Sequence, residues 1–85
     1  MSYMQPVVNL NGTSREELIN QRLGFSAALM DVITALSNMS PHLRDYRDVS
    51  EWQRDRAIYV ERFRALDRLY NEVIEEVASL SEQPV

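Results

Sequence analysis

The sequence predicts an all-α fold, an antiparallel two-helix hairpin with an N-terminal arm, oligomerising into a helical bundle. Three observations carry this. Apolar residues recur in alternating steps of three and four over two long stretches, the spacing of a helix with one packed seam. A short connection bearing Pro41 separates the stretches and allows them to fold back on each other. The chain has 85 residues and no cysteine, so its own core is small and no disulfide supports it; such chains gain stability by associating.

The elements follow in order. Residues 1–12 hold Pro6 and Gly12 and no helical period. They read as an arm with apolar Tyr3, Met4, Val7, Val8 and Leu10, either loose or packed on a neighbour. Helix 1 is expected over about 14–39. Thr13 and Ser14 are both good N-caps, each with a glutamate three residues on (Glu16, Glu17), and those acids suit the positive end of the helix dipole. Pro41 disfavours helical geometry at Ser40 and so ends the helix. Gly24 is a weak point within it. Residues 40–48 form the connection. Helix 2 is expected over about 49–80, starting near Asp48 or Ser50, with Ser50 and Gln53 as a second capping pair. The hairpin thus fills 13–81, and a tail with Pro84 occupies 82–85.

The seams specify the pairing. Helix 2 presents Val49, Trp52, Arg56, Tyr59, Phe63, Leu66, Tyr70, Val73, Val77 and Leu80. Helix 1 presents Leu18, Arg22, Phe25, Leu29, Val32, Leu36 and Met39. If the chain folds back antiparallel, residues whose numbers sum to 91 or 92 meet: Met39 with Trp52, Val32 with Tyr59, Leu29 with Phe63, Phe25 with Leu66, Arg22 with Tyr70 and Leu18 with Val73. Two helices cannot enclose a core, however. Ile19, Leu23, Met30 and Ile33 lie beside the first seam, and Ile58, Val60, Leu69 and Ile74 lie off the second. Burying one such side chain is worth about 1.5–3 kcal/mol, so a homo-oligomer, a dimer or higher, is expected to cover them. The line Arg54, Glu61, Arg68, Glu75 alternates in sign and reads as a solvated face.

Composition narrows the function classes. Net charge is −4, which argues against nucleic acid as a partner. No apolar run is long enough to span a membrane, and MSYMQPVVNL does not read as a signal peptide, so a cytoplasmic location is expected. All nine basic residues are arginine; the planar guanidinium fork suits phosphate and carboxylate. Residues 42–70 hold seven arginines against six acids, whereas 71–85 hold four glutamates and no base. The chain is therefore charge-polarised along its length. His42 is the single histidine and sits in the connection, so a nucleophile–base pair or thiolate metal site has no basis, and neither enzyme activity nor a cofactor is expected.

Candidate sites remain at three places. Glu72, Glu75 and Glu76 cluster within one turn but lack the histidine of a helical di-metal site, and read as a solvated acidic helix end. Arg22 and Arg56 interrupt the seams. They either snorkel and pair with nearby acids or point into a polar pocket between subunits, beside Tyr70, Trp52 and Tyr59. The connection carries Arg44, Tyr46 and Arg47, and the start of helix 1 carries Thr13, Ser14 and Arg15. Arginine forks with an aromatic ring and a helix N-terminus suit a nucleotide-like anion; turn and capping roles account for the same residues. In one hairpin these two groups lie about 39 Å apart. Two hairpins packed head to tail would bring them together.

The opening Asn11-Gly12-Thr13-Ser14-Arg15-Glu16 and the connection with Pro41 followed by Arg44-Asp45-Tyr46 resemble small phage and prophage proteins over most of the chain. The resemblance implies a phage origin. Proteins of similar size and architecture include anti-defence sponges, which hold a host's nucleotide-derived immune signal between subunits without cleaving it; no binding residues carry over from them. Three functions are therefore expected to compete. The first is a non-enzymatic sponge acting through Thr13, Ser14, Arg15, Arg44, Tyr46 and Arg47 in the host cytoplasm. The second is a protein-binding module, an inhibitor of a host defence protein or a virion assembly factor, acting through an apolar or acidic helix face. The third is a purely structural helical oligomer.

Overall fold

A computed structural model of the chain describes residues 3–9 and 11–84; Leu10, expected to be an apolar part of the arm, and Val85 in the tail lie outside the described residues, as do Met1 and Ser2. Two helices, α1 (Arg15–Ser37) and α2 (Val49–Glu82), pack antiparallel, and a single 3-10 turn, Leu43–Asp45, interrupts their connection. No strand occurs among the described residues. No helix among them is long and apolar enough to cross a membrane.

The helix ends follow local chemistry. Ser14 is extended and its Oγ accepts the Glu17 backbone N–H at 3.1 Å, capping α1. An Asx turn leads into this cap: Asn9 Oδ1 accepts the Asn11 N–H at 3.0 Å. A Cβ at Gly12 would stand 3.1 Å from the Asn9 side chain, so the tight approach favours glycine there. At the other end the Asn38, Met39 and Ser40 N–H groups each bond a carbonyl three residues back. The helix tightens and stops at Ser37, two residues earlier than expected, as it approaches Pro41. Asp48 caps α2: its Oδ1 accepts both the Glu51 N–H at 2.9 Å and the Ser50 hydroxyl at 2.6 Å. Ser50 therefore supports the cap rather than being it, and the expected Ser50–Gln53 pair gives way to an aspartate, an equally good N-cap whose carboxylate takes two donors at once.

The interior is thin. Leu29, Val73 and Leu80 are the buried apolar residues, joined by Ser26 and Glu76. The stripe of α1 that turns inward runs through Arg22, Ser26, Leu29, Ile33 and Leu36. The expected seam shares Arg22, Leu29 and Leu36 with it but names Phe25 and Val32, which are 46% and 50% exposed. Helix α1 is thus rotated by part of a turn. Ser26, whose hydroxyl bonds the Leu23 carbonyl at 2.9 Å, takes the inner position because a small side chain lets two helices come close. Along α2, Trp52, Tyr59, Leu66, Tyr70, Val73, Val77 and Leu80 face inward to varying degrees, whereas Val49, Arg56 and Phe63 stay exposed.

The particle measures 61 × 22 × 15 Å, with a radius of gyration of 18.2 Å. A compact chain of this length would have a radius of about 12 Å. The hairpin is a rod two helices wide; off its central line Leu23, Phe25, Met30, Val32, Ile58 and Leu69 are exposed, while Ile19, Val60 and Ile74 are half-buried.

Candidate functional site

The two ends of the rod differ in what they assemble. At the open end the arm lies across the hairpin. The Met4 N–H donates to Glu76 Oε2 at 2.8 Å, and the Gln83 side-chain amide pairs with the arm in both directions. Its Oε1 accepts the Val8 N–H at 2.9 Å, and its Nε2 donates to the Pro6 carbonyl at 2.8 Å. Arg15 donates to the Gln83 carbonyl, while its Nε is buried without a partner. Leu80, the most enclosed side chain at 1% exposure, lies one turn before Gln83. The arm thus packs on its own hairpin, an arrangement neither expected alternative named.

Beneath the arm, Arg22 Nε donates to Glu76 Oε1 at 2.8 Å, with the two side chains only 13% and 8% exposed. Arg22 also donates to the Leu18 carbonyl at 3.1 Å. Glu76 is therefore not part of a solvated acidic helix end. The expected neighbour of Arg22 was Tyr70; the observed partner lies six positions further along α2. Side chains on a helix lean toward its N-terminus. In an antiparallel pair Arg22 leans toward the open end and Glu76 leans back toward the connection, so the two meet. Nearer the connection the expected register is closer to the observed one: Trp52 Nε1 donates to the Pro41 carbonyl at 3.1 Å.

A groove of about 410 Å³ opens beside this ion pair, with Phe25, Leu69 and Val73 as apolar walls and Met4, Gln21 and Glu72 at its rim. Of its charges Arg22 and Glu76 are matched to each other, and Glu72 adds a further carboxylate. It suits apolar side chains better than an anion.

At the connection the contacts are polar and range from half-buried to exposed. Tyr46 donates its hydroxyl to Asp55 Oδ2 at 2.9 Å. That hydrogen bond is the main cause that raises the Tyr46 pKa above 10.0 and lowers that of Asp55 below 3.8. Asp48 is held below 3.8 chiefly by the hydrogen bond from the Ser50 hydroxyl. Arg47 pairs with Glu51 at 2.7 Å. Arg44 is exposed and has no ion pair among the described residues.

Thr13, Ser14 and Arg15 therefore sit at one end of the rod and Arg44, Tyr46 and Arg47 at the other. Within one chain they do not meet. Ser14 is engaged in capping, Arg15 on Gln83, Tyr46 on Asp55 and Arg47 on Glu51, which leaves Thr13 and Arg44 without a side-chain partner among the described residues. Arg56 is exposed on α2 and makes no ion pair among the described residues. No three His, Asp or Glu side chains gather in a metal-binding arrangement among the described residues. Sequence reasoning placed Glu76 only in a solvated acidic cluster and Met4 only among the apolar residues of the arm, and passed over Gln83. The signal for Glu76 was Arg22 itself, since a cation in an apolar seam calls for an acid within reach. No protein-family model, curated protein or solved structure matches this chain.

Proposed function

We propose that this chain is a non-enzymatic, phage-type binding protein that sequesters a nucleotide-derived anionic signal, with Arg44 and the Tyr46 ring as its principal contacts at the connection. The observation that carries this is the contrast among the loop side chains. Tyr46 is bonded to Asp55, and Arg47 pairs with Glu51. Arg44 alone of the three offers an exposed guanidinium without a carboxylate, and such a fork binds phosphate bidentately. Thr13 and the capped start of α1 join the site when a second hairpin places its open end nearby.

The test is thermal unfolding of the purified protein with cyclic di- and trinucleotides and ADP-ribose derivatives. A ligand at a hundred times its dissociation constant adds about 2.7 kcal/mol, a rise of roughly 4–8 °C per kcal/mol in a domain of this size. The shift should be selective for one ligand class, vanish in Arg44→Ala and leave the ligand chemically unchanged. A flat response across the panel sinks this reading.

The exposed apolar faces favour a second reading, in which the chain binds a protein through Phe25, Val32, Ile58 and Leu69. In that case Arg44→Ala is silent, and changes on the apolar face abolish function.

A further inference from the structure

The rod leaves more surface in water than its mass warrants. A compact chain of 9.9 kDa exposes about 5,200 Å². This one exposes 6496 Å², about 1,300 Å² more, against the roughly 800 Å² per partner that a stable interface buries.

The excess has a direction. At about 100° per residue, Phe25 and Val32 flank the inner stripe of α1 on one side, and Leu23 and Met30 flank it on the other. On α2, Ile58 and Leu69 lie to the same side of their own inner stripe. Phe25 and Leu69 line one groove, which places them on one broad face of the hairpin. All four of Phe25, Val32, Ile58 and Leu69 are exposed large apolar residues.

The charges give an orientation. The connection half of α2 is arginine-rich, and the segment from residue 71 onward holds glutamates without a base. On the same face as Leu69, α2 carries exposed Arg62 and half-buried Glu72, neither of which has an ion pair among the described residues. They lie about 15 Å apart along the helix and cannot reach each other within one chain. A twofold axis crossing α2 near the level of residue 67 sets Arg62 of each copy against Glu72 of the other, and Leu69 against Ala65. A parallel copy would instead place like charges side by side.

From this geometry we propose that the Phe25–Leu69 face is the seat of a second copy of the chain, packed antiparallel about a twofold axis, with two reciprocal Arg62–Glu72 pairs at its edge. Such a contact is isologous and closes on itself. The proposal rests on the apolar face and the charge axis, and stands whether or not Arg44 binds an anion.

The experiment is light scattering of the full chain across a dilution series without ligand. The expected mass is twice 9.9 kDa. Arg62→Glu and Glu72→Arg should each raise the dissociation midpoint roughly tenfold or more, and the combined swap should restore it. Phe25→Ser with Leu69→Ser should leave a helical monomer, while Leu23→Ser with Met30→Ser keeps the dimer; all four positions are exposed, so helical content by circular dichroism should be retained. A wild-type chain that stays monomeric at micromolar concentration overturns the proposal and leaves the face to a different partner. A swap that fails to restore association, or a dimer lost only with Leu23 and Met30, overturns the antiparallel arrangement or the face.

Discussion

The open end and the connection end of this rod are built on different principles. At the open end, arm and both helices converge, and part-buried polar groups bond one another: Arg22 with Glu76, Glu76 with the Met4 amide, Gln83 with Pro6 and Val8; the buried Arg15 Nε is the exception. At the connection Arg47–Glu51 lies at the surface, and Tyr46–Asp55 is half-buried and makes no further bond to the arm or to α1 among the described residues. The difference teaches where stability and where recognition sit. An enclosed pair is costly to break and has no spare valence for a ligand, whereas a surface pair contributes little and leaves its neighbours accessible.

The comparison can be broken from the open end first. Glu76→Ala leaves Arg22 enclosed without its carboxylate and should destabilise the fold by about 3 kcal/mol, the range for removing one member of a buried pair. Replacing both, Arg22→Met with Glu76→Leu, should recover most of that loss; chemical denaturation of the three variants measures it. Next is Gln83→Ala. It removes both side-chain bonds to the arm and should cost about 1–2 kcal/mol. Amide exchange should then accelerate at Val8 and Met4 well before it does in the middle of the helices.

The smallest effect belongs to the connection and is read through pH. Asp55 has its pKa lowered, so its contribution is present above pH 3.8 and is lost as pH falls through the lowered value. Tyr46 has its pKa raised, so its contribution is present below pH 10.0 and is lost as pH rises through the raised value. Wild type and Tyr46→Phe should therefore differ by a small, constant shift in melting temperature between those limits and converge outside them. A difference that varies across neutral pH would show that another group governs the connection.

The hairpin was legible because heptad spacing, the Ser14 cap and Pro41 all point to one topology and each acts locally. The rotation of α1 was not. Apolar residues lie on both sides of its inner stripe, so two phases bury similar area, and the choice falls to Ser26, a residue that hydropathy does not count as core. The role of Glu76 was hidden for a related reason: three glutamates within five residues look like a solvated cluster until side-chain lean assigns one of them to Arg22. The seat of the arm depends on Gln83, and an amide that bonds backbone leaves no pattern in a sequence. The six candidate ligand residues were legible as chemistry, but sequence does not reveal which are already engaged. Arg15, Tyr46 and Arg47 satisfy partners within the chain; Arg44 does not.

The bonds that seat the arm join residues 72 to 77 positions apart in a chain of 85. They are among its longest-range contacts, so their closure entropy is the largest and they form last. During synthesis the arm is made before either helix, yet its partners Glu76 and Gln83 emerge only 72 to 77 residues later. Through that interval the Met4 and Val8 amides and the Pro6 carbonyl lack their partners on α2. The arm is therefore open to wrong partners until Glu76 and Gln83 are made, and these two residues act as the latch that ends its exposure.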